Sequence, residues 1–438
     1  MQNEFLRKVE QSQTLLLNEQ SRRLQQEGRN VYKFGFGQSP FPPPQSVIER
    51  LQSAAHLKDY SPVQGIPELR EAVAHFHRQW DRVSIDAEDI LIAPGSKILI
   101  YAVMAAFTRA DVLVPVPSWV SYIPQAHLAG HHVIKIPTFQ EARWRLTPEL
   151  LEKAIKSKID AHVPSILILN YPGNPDGLTY TSDELAGLAA VARKHNVLII
   201  SDEIYGLLNH AGSHESIACH CPDNTIITSG LSKWIGAGGW RLGVALLPKA
   251  LRGAFKETLL GIASETYSCA ALPVQMAACE AYQPTDAIAD YLQHQRRILA
   301  TLGMACYHKL HNAGISVCEP QGGFYLFLDF SNLQGAGIST SETLCEKLLA
   351  DTGVALLPGT AFGMEPHHLS ARLAYVDFDG AKALDASKEV GLQQPLGPAY
   401  SRHHFSKTLE GIDKLCEWVT GLAPVRRALP LEAVVIHT

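Results

Sequence analysis

Seven short runs of apolar, mostly β-branched residues recur between positions 90 and 247, separated by segments that are mostly long enough for a helix. They fall near residues 90–93, 112–115, 132–136, 166–170, 197–201, 225–228 and 242–247. Several are apolar without alternation, so those strands need cover on both faces. The pattern therefore predicts an α/β fold: a mostly parallel, seven-stranded sheet with helices on both faces. Past residue 292 the texture changes to a long helical stretch and short alternating strands near 315–318, 324–330, 354–357 and 371–376. A helix over 341–351 lies among them, which suggests a smaller α+β domain. Residues 4–27 read as a helix, with Leu6, Leu15, Leu16, Leu17 and Leu24 on a partial stripe and Gly28 as its stop. Residues 40–44 form a stiff, extended connector. Residues 393–404 read as a loop before a helix over 406–420, and the tail after Leu422 carries no signal. The expected division is 1–44 as N-terminal helix and connector packing with the small domain, 45–292 as large domain and 293–438 as small domain.

A chain of 438 residues can bury two sizeable cores. Its net charge of −5 is spread along the chain, with no basic stripe for nucleic acid and no polybasic patch for a membrane. Residues 1–29 are polar and charged, unlike a signal peptide, and no later run reaches the roughly 18 apolar residues of a spanning helix. The eight cysteines lack framework spacing. Cys219-His220-Cys221 has no second ligand pair nearby, so it reads as a loop with incidental thiols rather than a metal site. This usage fits a reducing cytoplasm.

Residues that carry chemistry gather where the strands end, which is where open α/β sheets bind ligands. The strand at 225–228 runs into Ser229-Gly230-Leu231-Ser232-Lys233, and Arg241 follows eight residues later in a glycine-rich turn. A lysine desolvated there beside other cations has a depressed pKa, which frees its amine for a Schiff base with an aldehyde cofactor; the arginine suits that cofactor's phosphate. The strand at 197–201 leads into Asp202-Glu203-Ile204-Tyr205, where an aspartate can also serve as a helix cap. The strand at 166–170 leads into Asn170-Tyr171-Pro172-Gly173-Asn174-Pro175-Asp176-Gly177, a turn by its Pro-Gly and Asn-Pro pairs. Gly95-Ser96-Lys97 opens a helical run over 98–107, a place where backbone amides accept an anion. Trp119 follows the strand at 112–115. Arg372 follows Leu356-Leu357-Pro358-Gly359-Thr360-Ala361-Phe362-Gly363.

These motifs, in this order, closely resemble the class I/II aminotransferases of the aspartate aminotransferase superfamily, with the resemblance running from about Ser21 to Trp418. It implies a fold type I enzyme that uses pyridoxal 5'-phosphate (PLP). By that resemblance Lys233 is the Schiff-base lysine and Asp202 pairs with the protonated pyridine nitrogen. Tyr205 and Asn174 donate to the ring's phenolic oxygen, and Trp119 stacks on the ring. The backbone amides of Ser96 and Lys97, with Arg241 and the Ser232 hydroxyl, hold the phosphate. Tyr60 reaches the partner's phosphate in a homodimer with shared sites. Arg372 grips the substrate's α-carboxylate, with Gly37 and Asn174 completing that pocket, while Glu203 serves structure. Three positions depart from the family's pattern: Tyr171 for asparagine, Asp176 for threonine, and Gly230 where many relatives have serine.

The resemblance implies ping-pong transfer of an α-amino group from an amino acid to a 2-oxo acid. Lys97 points toward substrate choice. In one branch of the bacterial aspartate aminotransferases, a lysine at this place pairs with the substrate's distal carboxylate, which suits aspartate, glutamate or an acid such as prephenate. A solvated lysine in a first helical turn is the plainer reading, and Phe36, Tyr101, Tyr122 and Tyr267 leave an aromatic or neutral substrate open. Two alternatives share the motifs: a PLP-dependent β-lyase, and a non-catalytic PLP-binding regulator. The regulator would need an appended DNA-binding domain, and no helix-turn-helix is seen in the roughly 30 residues that precede the motifs.

Overall fold

The computed structural model describes residues 11–422. After a two-residue strand β1 (Tyr32–Lys33), seven strands build the main sheet: β2 (Ile90–Ala93), β3 (Asp111–Val116), β4 (His132–Pro137), β5 (Ser165–Asn170), β6 (Leu198–Asp202), β7 (Thr225–Gly230) and β8 (Gly243–Leu246). Their order is β2-β8-β7-β6-β5-β3-β4. Only β8 runs against the rest, pairing antiparallel with both β2 and β7. The expected α/β sheet is the one observed.

Alternate residues of the central strands enter different cores. Val112, Val114, Ile166, Ile168 and Ile200 pack on one face with Leu99, Ile100 and Val103 of the helix Ser96–Ala105. Leu113, Leu167, Leu169 and Ile199 pack on the other with Leu185, Leu188 and Ala189 of the helix Ser182–Lys194. Each of these aliphatic side chains contributes about 1.5–3 kcal/mol on full burial, which is why the runs are apolar without alternation. The Ser182–Lys194 helix starts on a capping box between Thr181 and Glu184.

The C-terminal part adds β9 (Tyr325–Asp329), β10 (Val354–Ala355), β11 (Leu357–Pro358) and β12 (Ser370–Ala374). β9, β12 and β11 form an antiparallel sheet, while β10 pairs in parallel with β1. Leu17 and Leu24 of the first helix, Gln13–Gln26, pack on Val31, Leu349 and Ala355. The expectation for residues 4–10 lies outside the described residues, as does the tail beyond Leu422.

Four expectations need correction. Residues 315–318 make a single bridge, Ser316 to Asp329, rather than a strand. The chain then diverges, because the amides of Gln321 and Gly322 turn to the Gly177 carbonyl. The strand expected at 354–357 is two, since the chain leaves the β1 pairing after Ala355 and joins β12 at Leu357. The loop at 393–404 contains a helix, Pro398–His404, started by a proline at its first turn. The helix expected over 98–107 begins two residues earlier, at Ser96. Among the described residues no helix is long and apolar enough to cross a membrane.

Candidate active site

β2, β3, β5, β6 and β7 all end on the same edge of the sheet; the last residue of β6 is Asp202, and the chain just beyond the other four ends delivers Ser96, Trp119, Asn174 and Lys233. They line one cavity of about 570 Å³. Lys97, Tyr205, Ser232, Arg241, Gly37 and Arg372 line it too, so it gathers every residue given a cofactor- or substrate-binding role from sequence except Tyr60; of the four aromatic residues noted for substrate choice, Phe36 and Tyr122 line it and Tyr101 and Tyr267 do not. Tyr60 lies outside, 91% exposed.

Asp202 is the last residue of β6 and is buried. Its carboxylate accepts from the Tyr122 hydroxyl at 2.7 Å and from Thr228 at 3.4 Å. Burial nonetheless pushes its pKa up to about 6, because neither partner brings positive charge. Lys233 Nζ donates to the Gly37 carbonyl at 2.7 Å. Desolvation lowers its pKa; Tyr325 and Asp202 oppose this, while Arg372 and Arg241 push the same way.

Arg372 sits in the middle of β12, almost fully buried. It donates to Asn174 Oδ1 at 2.9 Å and to the Gly35 carbonyl at 2.6 Å, while its Nε has no partner. Its guanidinium lies 4.6 Å from the Tyr325 ring centre and 5.0 Å from that of Phe362. Asn174 is held by a 2.7 Å bond from its own amide to Asn170 Oδ1. With its side-chain oxygen on Arg372, its amide nitrogen is the end left to donate. Gly37 meets Lys233 through its carbonyl.

At the other end of the cavity, Gly95 adopts φ +97° just before the helix Ser96–Ala105. A Cβ there would lie 2.0 Å from Arg241 Nη2, so only glycine lets the guanidinium reach the helix start. Arg241 also contacts the Gly238 carbonyl at 2.8 Å and Ser232 Oγ at 3.4 Å. Helix-start amides beside an arginine form an anion cradle. Lys97 Nζ lies 5.0 Å from the centre of the Trp119 ring, and burial, then Arg241 and Lys233, lowers its pKa.

Each departure from the family's pattern has a local cause. Gly230 packs directly on β8, where a Cβ would meet the Leu242 carbonyl oxygen at 2.4 Å. The Tyr171 hydroxyl accepts the Ile217 amide at 2.7 Å. Asp176 forms a buried 2.5 Å ion pair with Arg145, which also bonds the Leu178 carbonyl. We expect Arg145→Met, which strands a buried carboxylate under the Asn174 loop, to cost about 3 kcal/mol in urea unfolding at neutral pH. Arg145→Met/Asp176→Leu should recover most of it, and a single variant within 1 kcal/mol of the parent would contradict this role.

Glu203 faces away from the cavity into a buried network, accepting from Ser201, Ser216 and His214. Two tyrosines complete the site without having been assigned a role from sequence. Tyr122 holds Asp202. Tyr325 Oη lies 2.8 Å from Tyr205 Oη and carries Arg372 on its ring.

The cavity walls present four cations, Lys97, Lys233, Arg241 and Arg372, against one carboxylate, Asp202. Among the described residues none of the four forms an ion pair, so the cavity suits a ligand with several negative charges.

Comparison with known proteins agrees with the geometry. The family model for aminotransferase class I and II matches residues 29–377. An aspartate aminotransferase of Bacillus sp. (strain YM-2) is 31% identical over 363 residues, covering 80% of this chain and 89% of that protein. Among solved structures, an aspartate aminotransferase from Thermus thermophilus with maleate superposes with TM-score 0.78 at 27% identity, covering 89% of this chain and all of that one. An aromatic aminotransferase from Pyrococcus horikoshii superposes with TM-score 0.75 at 26% identity, covering 92% and 98%.

Proposed function

The chain belongs to the class I and II aminotransferases, and we propose that it is a PLP-dependent transaminase whose amino donor is a dicarboxylic amino acid such as aspartate or glutamate. The observation that carries this reading is the excess of unpaired cations on the cavity wall. A phosphate, an α-carboxylate and a distal carboxylate supply the negative charge that three of them need. The fourth, Lys233, has its charged form disfavoured by burial.

The residues present fit PLP. The glycine-opened cradle at Gly95, Ser96 and Arg241 suits its phosphate. Asp202, a carboxylate buried without a cation, suits a protonated ring nitrogen, whose charge would restore its ionisation at neutral pH. Trp119 offers a ring face, while Tyr205 and the Asn174 amide offer donors to the phenolic oxygen. When bound, PLP supplies an aldehyde for the substrate's amine and a cationic ring that accepts the electron pair of the Cα–H bond.

The chain's own residues do the rest. Arg372 orients the substrate by a two-point grip on its α-carboxylate, and the Tyr325 and Phe362 rings keep that grip flat and dry. Lys233, with its charged form disfavoured, would take the proton from Cα and return it to the cofactor's aldehyde-derived carbon on the other side of the substrate nitrogen, as base and then acid. Asp202 holds the ring nitrogen's proton throughout. Tyr60 supports a homodimer with shared sites, since an exposed tyrosine outside its own cavity is free to reach a second copy. All eight cysteines are free, which supports a reducing, cytoplasmic setting.

Lys97 is the residue proposed to read the distal carboxylate. Aspartate aminotransferases among the relatives, and the maleate named with the Thermus thermophilus structure, support an acidic substrate. Lys97→Gln should raise KM for aspartate roughly 10- to 100-fold and leave alanine and phenylalanine kinetics within about threefold, as expected for loss of one charged hydrogen bond. An equal effect on acidic and neutral substrates would remove Lys97 from substrate recognition.

A further inference from the structure

Tyr325 opens β9 and meets the site at three points. Its hydroxyl lies 2.8 Å from Tyr205 Oη and 3.5 Å from the Gly37 carbonyl, and its ring carries Arg372. The Gly37 carbonyl is already taken at 2.7 Å by Lys233 Nζ. A hydroxyl has one proton to give. While Lys233 occupies Gly37, the better acceptor for that proton is the Tyr205 oxygen. Tyr205 then turns its own proton elsewhere, and the cavity it lines is where acceptors arrive. The approach to Gly37 is close: a Cβ on that residue would sit 1.9 Å from Tyr325 Oη.

We infer that Tyr325 is a positioning residue that links Lys233 to Tyr205 through the shared Gly37 carbonyl, so that Tyr205's strength as a donor depends on where the lysine amine is. With Lys233 on Gly37, Tyr325 donates to Tyr205 and strengthens Tyr205's outward donation by hydrogen-bond cooperativity. When the lysine leaves Gly37 to act elsewhere in the cavity, the carbonyl becomes free. Tyr325 can then give its proton to Gly37 and accept from Tyr205, which withdraws that donation. No covalent bond changes in this relay. Its consequence for the cofactor rests on the PLP reading above, whereas the shared carbonyl does not.

Tyr325→Phe separates the hydroxyl from the ring, because phenylalanine still carries Arg372. In the PLP-loaded protein the lysine amine is engaged by the cofactor and off Gly37, so Tyr325→Phe removes the acceptor that draws Tyr205 away; stronger donation by Tyr205 leaves less charge on the ring oxygen, and the neighbouring nitrogen loses its proton at lower pH. The visible-absorbance titration midpoint should move down by about half a unit. kcat should fall about tenfold with KM changed less than about threefold. Gly37→Ala, which pushes the Tyr325 hydroxyl away, should move the midpoint in the same direction.

In cofactor-free Tyr325→Phe, no hydroxyl can take over the Gly37 carbonyl when Lys233 leaves it, so the amine stays on Gly37 longer. Its reaction with trinitrobenzenesulfonate, followed by peptide mass spectrometry, should slow about threefold at fixed pH. If kcat falls while both the midpoint and the Lys233 rate are unchanged, Tyr325 only fills space and the relay is overturned. If the parent shows no visible band with PLP, the cofactor reading fails, and the Lys233 rate alone decides whether the carbonyl is shared.

Discussion

Replacing Lys233 by alanine is expected to lower kcat/KM for aspartate and a 2-oxo acid by roughly 10,000-fold or more, since proton transfer alone contributes up to about that factor. The cavity contains one other amine, Lys97, but it cannot substitute. Lys97 belongs to the first turn of the helix Ser96–Ala105 and lies over Trp119, whereas Lys233 follows β7 and reaches the Gly37 carbonyl beside the Tyr205 and Phe324 rings. Desolvation is the largest influence on the Lys233 amine and disfavours its charged form; Arg372 and Arg241 act the same way while Tyr325 and Asp202 oppose them, and the net lowering is what a neutral, proton-accepting amine requires. Lys233→Arg should be as inactive as the alanine variant, because a guanidinium stays protonated. Small primary amines added to Lys233→Ala should restore part of the rate by supplying the missing base. Steady-state rates with each variant check this, and a loss of less than tenfold would remove Lys233 from the reaction.

Asp202→Asn should lower kcat by about 1,000-fold, the upper range for removing one preorganised electrostatic group from an active site. The same change has an opposite effect on the empty fold. The Asp202 pKa is raised from 3.8 to about 6 by burial, so the folded protein binds this proton more tightly than the unfolded chain. Its contribution to stability is fully present below about pH 4 and is lost as pH rises through about 6. Cofactor-free Asp202→Asn should therefore melt at a higher temperature than the parent at pH 7.5, with the difference closing toward pH 4. Adding PLP should reverse the order, because the ring nitrogen's charge compensates the carboxylate only in the parent. Thermal melts across this pH range, with and without PLP, test the sign. A variant that melts lower than the parent at pH 7.5 without PLP would contradict the account.

The legible part of this molecule is the part governed by local pattern. Runs such as Ile-Leu-Ile-Leu at 166–169 can be satisfied only between two covered faces, and they mark the sheet. Lys233, Asp202 and Asn174 could be picked out because each follows such a run within a short, turn-forming segment. Tyr325 is different. Its partners lie 120 and 288 positions away, at Tyr205 and Gly37, and a tyrosine at the head of a strand looks like ordinary core. Tyr122 reads in the sequence only as an aromatic side chain, and its bond to Asp202 spans 80 positions. Asp176 could be seen as a departure, but its compensating partner Arg145 lies in a separate loop with no local mark. Boundaries failed where tertiary pairing decides them, as at Leu356, where the chain passes from the β1 partner to the β12 partner.

The central claim is that this cavity holds PLP on Lys233 and transaminates acidic amino acids. The direct measurement adds PLP to the purified chain, records the visible spectrum, then adds aspartate without any oxo-acid acceptor. The account predicts a visible band with PLP that disappears on adding aspartate, with one 2-oxo acid released per site and no ammonia. Absence of the band, or a band that survives aspartate while ammonia accumulates, would contradict it.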